Sequence, residues 1–273
     1  MLTASWKSWC ERSPSGARTH TARPSACWPP CASPSNRGRP HVRYPGSMKA
    51  QRMRVTFARG EPLRYISHLD LMRFWERALR RAGLQVAYTE GFSPHPQIAL
   101  GAPLPVGTTG EAELMDVFLA EPVAPQEFVE RLRRQCPPGV AVIAAEEVPL
   151  TLPSLQSQLR AATYWVSLPE GTDPDAAERV VAEFLAKESV PWEHQRDKEI
   201  KRYDLRPLVE WLRVDRSVSP PRLVMCLRAA PGATGRPDQV VAALGFPPPV
   251  RVHRIGLILN EAGEPGRAGP TPA

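Results

Sequence analysis

His68, His95 and Asp116 are the residues of this chain whose types could do proton chemistry. His95 stands between Pro94 and Pro96 in the run GFSPHPQIALGAPLP, Gly91 to Pro105. Proline fixes φ, removes a donor and pushes the residue before it out of the α region, so this run is a stiff loop that displays a side chain. His68 stands second in the segment SHLD, at a predicted helix start whose partial positive charge favours anions. Two histidines brought together could act as acid and base, with Asp116 orienting His95. Glu113 or Asp116 could instead complete a metal site, but the spacing matches no known ligand pattern, and neither a metal nor a cofactor is expected. Plainer roles compete with these. Asp70 supports the helix cap, His68 bonds nearby backbone, and His95 stiffens a turn. Asp116 shares a strand face with Leu114 and Phe118, where a carboxylate needs a partner. Arg64, Arg73 and His95 are its candidates.

Two stretches could meet phosphate. Arg73, Arg77, Arg80 and Arg81 recur at helical spacing, with a solvated helix face as the default reading. The segment KEIKRYDLR, Lys198 to Arg206, interleaves Lys201 and Arg202 with Tyr203, and Trp211 follows it. Basic residues alternating with an aromatic on a sheet can stack a base and contact phosphate, so this strand is a candidate RNA contact. No P-loop, G-x-G-x-x-G, H-E-x-x-H or G-x-S-x-G motif occurs.

The elements that must position these residues read as a β-α-β-β-α-β order, twice. In the first half the strands are Arg52 to Ala58, Leu84 to Thr89, a short one at Gln97 to Leu100, Glu111 to Leu119 and Val140 to Val148. A helix begins at Ser67 and closes at Gly83, with Leu71, Phe74, Trp75, Ala78 and Leu79 as its apolar stripe. A second helix spans Pro125 to Cys136. After a linker at Pro153 to Gln158, strands at Ala162 to Leu168, Asp197 to Asp204, Arg222 to Arg228 and Val250 to Leu259 enclose helices at Asp173 to Lys187 and Asp238 to Leu244. The fold predicted is α+β: two tandem ferredoxin-like (split βαβ) units, residues 48–150 and 159–260, with antiparallel sheets and helices on one face.

Residues 1–47 and 261–273 read as disordered ends, the first with a mis-set start before Met48 or Met53. Of the net charge of +7, +6 belongs to that first segment, where Lys7 and six arginines face Glu11 alone. The rest of the chain is almost neutral, so overall charge is no argument for nucleic acid. Cys27 and Cys31 form CWPPC, but a radical-SAM cluster motif needs a third cysteine where Pro34 stands. Cys136 and Cys226 read as reduced structural thiols of a cytoplasmic protein. No apolar run is long enough to span a membrane.

The blocks GEPLRYISHLDLMRFWERALRRAGL and EGFSPHPQIALGAPLPVGTTGEAELMDVFL resemble a bacterial family, the radical-SAM-associated domain of unknown function, found alone or fused behind a radical-SAM protein. The matching positions are Arg64, Ser67 to Asp70, Gly91, Phe92, Pro94 to Pro96, Leu104, Pro105, Gly107, Glu113 and Asp116, and later Asp204 to Arg206. The resemblance implies a radical-SAM partner that holds the cluster this chain lacks. The expected function is an accessory, substrate-binding module for RNA or ribosome-related modification, more a non-catalytic partner than an enzyme. Its binding surface would comprise Arg64, Asp70, Gly91, Phe92, Pro94, Pro96, Lys201, Arg202, Asp204 and Arg206. The alternative is a stand-alone RNA-processing enzyme using His68 and His95, with Asp116 orienting.

Overall fold

Strand β1 (Gln51–Arg59) alternates Met53, Val55 and Phe57 with Arg52, Arg54 and Thr56, and this alternation decides the two faces of the first half. The computed structural model describes residues 48–196 and 199–260. The expectations for residues 1–47 and 261–273, and for the Lys198 side chain, lie outside the described residues. The apolar face of β1 continues into Met115, Val117 and Leu119 of β3 (Thr108–Leu119) and Val140 and Val142 of β4 (Val140–Val148).

Helix α1 (His68–Arg81) lays Leu71, Trp75, Ala78 and Leu79 on that face, and α2 (Pro125–Arg133) adds Phe128, Val129 and Leu132. Trp75 meets Phe57 edge-on, with ring centroids 4.9 Å apart. Each fully buried side chain of this kind contributes roughly 1.5–3 kcal/mol. The α1 start is fixed as the sequence predicts. Ser67 Oγ accepts from the Asp70 amide at 3.1 Å and donates to the Asp70 carboxylate at 2.8 Å.

The second half has its own core. Ala162, Tyr164 and Val166 of β5 (Leu159–Ser167) and Leu223, Met225 and Leu227 of β9 (Arg222–Ala230) face α4 (Pro174–Ala186) and α5 (Pro237–Ala243). The remaining elements are β2 (Ile98–Leu100), α3 (Leu155–Gln158), β6 (Pro191–Arg196), β7 (Glu199–Asp204), β8 (Val209–Asp215), β10 (Ala233–Thr234) and β11 (Val252–Leu259). The fold is mixed α+β, with one large, mostly antiparallel nine-stranded sheet in the order β10-β9-β5-β11-β3-β1-β4. β2 flanks β3, and β8 flanks β9.

The expected pair of separate antiparallel sheets is therefore corrected to one sheet. β11 pairs antiparallel with β5 on one side and parallel with β3 on the other. Residues 84–89 form isolated bridges, Val86 to Leu119 and Tyr88 to Pro96, where a strand is predicted. Their neighbours Pro94 and Pro96 offer no N–H, so a ladder cannot propagate. Two strands escape the sequence pattern. β6 opens on a proline and carries few apolar residues. In β8 the register slips between Val209 and Trp211, so Val209 and Leu212 share a face and strict alternation is lost.

Candidate functional site

The proline loop is closed by its own backbone. Thr89 N–H donates to the His95 carbonyl at 2.9 Å, His95 N–H to Thr89 Oγ1 at 2.9 Å, and Gln97 Nε2 to the Tyr88 carbonyl at 3.0 Å. Gly91 turns the tip with φ +130°, a conformation that side-chain-bearing residues rarely adopt. The loop tip holds Phe92 fully exposed, with Pro94 and Pro96 half-buried at its base. The His95 and His68 side chains are both exposed, and neither imidazole hydrogen-bonds to a described residue.

Asp116 does not join them. It alternates with Met115 and Val117, so it lies on the sheet face away from α1 and is fully buried there. Its partners are Arg52 (Nε at 2.9 Å and Nη2 at 2.6 Å from Oδ2) and Arg54 (Nε at 2.9 Å from Oδ1, Nη2 at 3.1 Å from Oδ2). Arg64, Arg73 and His95, the partners expected from the sequence, are not among them. Register explains the correction, because Arg54 is the direct cross-strand neighbour of Asp116. Arg52 also donates to the Leu152 and Pro153 carbonyls at 2.6 and 2.8 Å, tying the linker to this carboxylate.

The other candidates divide in the same way. Arg64 is held by Glu61 at 3.0 Å and stacks on the Tyr65 ring at 4.5 Å. Asp70 accepts from the hydroxyl of the capping Ser67 and pairs weakly with Arg73 at 3.4 Å, while Arg77, Arg80 and Arg81 stay on the exposed face. Lys201 and Arg202 point out from the two-stranded β6–β7 sheet, where Arg202 pairs with Glu193 at 2.6 Å. Asp204 and Arg206 are committed to structure. Burial pushes the Asp204 carboxyl up, but the Val190 and Arg206 amides bonding Oδ1 at 2.8 and 3.0 Å leave it below its ordinary value. Arg206 donates to the Val209 and Leu185 carbonyls, and Leu205 between them is fully buried.

A second charged group lies where the halves join. Arg254 of β11 grips both carboxylate oxygens of Glu113 on β3, with Nε at 2.7 Å, and donates to the Ala102 carbonyl at 3.0 Å. Gly110 lies against it, and a Cβ there would displace the Glu113 carboxylate. Arg59 is fully buried nearby and donates through Nη2 to the Pro105 and Thr108 carbonyls at 3.0 and 2.6 Å. Its Nε and Nη1 have no hydrogen-bond partner, and burial lowers its pKa. Pro105 and Thr108 line a pocket of 380 Å³ with Tyr65, Tyr164, Arg236 and Val250. Sequence reasoning missed this group. The available signal was an arginine at the next inward position of β1, after Met53, Val55 and Phe57.

Among the described residues, no cluster of three or more histidine, cysteine or acidic side chains is placed to hold a metal ion. Cys136 and Cys226 are free thiols, and burial raises the pKa of Cys226 to about 11. No helix among the described residues is long and apolar enough to cross a membrane.

None of the curated proteins matches the sequence. Among solved structures, the chain is similar to one from the "Crystal Structure of a Cbf5-Nop10-Gar1 Complex", with 10% identity and a TM-score of 0.40. That similarity covers 79% of this chain and 50% of the other, so the chain spans about half the length of that relative. A family described as "Uncharacterized protein conserved in bacteria (DUF2344)" matches residues 52–237, a span that takes in the SHLD helix start, the proline loop, Asp116 and the β6–β7 hairpin. The chain belongs to that family.

Proposed function

We propose that this protein is a cytoplasmic accessory module that binds substrate and a separate radical-SAM enzyme in RNA or ribosome-related modification. The chemistry belongs to the partner, and each half of this chain is a ferredoxin-like unit. Strand order supports the second point: β4-β1-β3-β2 in the first half is matched by β11-β5-β9-β8 in the second.

The observation that carries the binding reading is Phe92, fully exposed on a loop that is pinned by Thr89, His95 and two prolines. An aromatic side chain presented on a stiff support loses little entropy on docking, and such residues dominate interface energetics. The choice of a radical-SAM protein rests on the resemblance of the SHLD and GFSPHP blocks. Asp116 supports a binding role over acid–base chemistry, because its carboxylate is spent on two arginines.

The test is affinity capture of the full chain from its native host. The expected result is recovery of a radical-SAM protein, with Phe92→Ala weakening the complex by about 30-fold, the equivalent of a 2 kcal/mol hot spot. Capture without a radical-SAM protein, or capture indifferent to Phe92→Ala, would overturn the proposal.

A further inference from the structure

The sheet of the second half has a face turned away from α4 and α5, and register arranges it in rows. Arg213, Val224, Trp165, His253 and Thr109 are successive cross-strand neighbours on β8, β9, β5, β11 and β3. Trp165 is half-buried in the centre of that row. The His253 ring stacks on the indole, with centroids 4.9 Å apart and planes 22° from parallel. The Arg222 guanidinium lies 4.3 Å from the indole centroid, and that of Arg251 lies 5.4 Å away. His253 is itself fixed, by Thr109 Oγ1 at 2.7 Å from Nδ1 and Glu111 at 3.4 Å from Nε2. One row along, Trp211 is exposed beside Cys226.

Charge on this face is unbalanced. Arg213, Arg222 and Arg228 have no described carboxylate within salt-bridge distance, and Arg251 is shared with Glu61 at 2.8 Å. Of the acids, Asp215 is occupied by the Ser217 amide and hydroxyl at 3.0 and 2.6 Å, Glu111 by His253, and Glu210 by Arg160 at 3.7 Å. The face thus combines flat π surfaces held in place with free guanidinium groups. Stacking on aromatic and guanidinium planes, with cations along the backbone, is how sheets bind unpaired bases. An acidic peptide would use the arginines and leave the Trp165 column idle.

We propose that this face binds single-stranded RNA. A base stacks on the Arg222–Trp165–His253 column, and Arg213, Arg228 and Arg251 meet phosphates. The inference rests on the RNA side of the proposed function and relocates the contact. The sheet of the second half carries it, ahead of the Lys201–Arg202 strand on the separate hairpin.

Fluorescence anisotropy of a labelled 20-nucleotide oligouridine with the purified full chain tests it without any radical-SAM partner. Trp165→Ala is expected to weaken binding about 10-fold or more. The exposed substitution Arg213→Ala, which leaves the stack intact, lowers the slope of log affinity against log salt by about 0.7. Lys201→Ala with Arg202→Ala has the smaller effect. Equal binding by the parent chain, Trp165→Ala and Arg213→Ala would overturn the inference and assign any affinity to residues elsewhere, including the basic first segment. A preference for polyglutamate over the RNA would overturn it too. Either result leaves capture of a radical-SAM protein through Phe92 to be judged on its own readout.

Discussion

At Asp116 two guanidinium groups converge on one carboxylate, with no water-facing surface on the acid. Such a group is costly to break from one side, because the surviving charges stay buried and unpaired. Asp116→Ala is therefore expected to cost about 3–5 kcal/mol of stability, read as a shift in the urea midpoint. A variant of parent stability with a functional defect would instead show Asp116 acting at a site. The sequence marks Asp116 as a carboxylate that must be paired, because Leu114 and Phe118 flank it on one strand face. Its partners were not legible, since Arg54 is its neighbour only once β1 and β3 are in register. Arg254 was missed for the same reason, being an ordinary surface residue until the strand order is known, whereas Arg59 carried a local signal in its place on the inward face of β1.

The first helix was legible because its cap, apolar stripe and closing glycine agree with one another. β8 and residues 84–89 were not, because a bulge breaks the alternation in one and proline donors are missing from the partner of the other. The linker had a similar fate. Read as a spacer, it contains α3, whose Leu155 is fully buried against Gly101 and whose Gln156 donates to the Leu100 carbonyl at 2.6 Å. Leu155→Ala is expected to destabilise the protein by about 2–5 kcal/mol, measured by denaturant unfolding. A cost under 1 kcal/mol would make the segment a tether after all.

The two halves share a continuous sheet and a buried ion pair, Arg254 with Glu113, whose members are 141 residues apart. No local pattern encodes a pairing at that separation, so joining the halves was beyond reach of periodicity. Because the seam is hydrogen-bonded and buried, urea unfolding followed by far-UV circular dichroism and by tryptophan emission is expected to give one coincident transition. Two resolved transitions would show that the halves hold together separately and meet only at a weak edge.

The position of β11 has a consequence for how the molecule is made. It comes after every other described element in the chain, yet it sits in the middle of the sheet, between β5 and β3. Synthesis proceeds from the N-terminus, and domains form as they emerge. Until residues 252–259 leave the ribosome, β5 and the Thr108–Gly110 end of β3 each present an unpaired edge to every other nascent chain nearby. The newborn protein therefore passes through a stage with two open strand edges, closed by a single eight-residue insertion that arrives last.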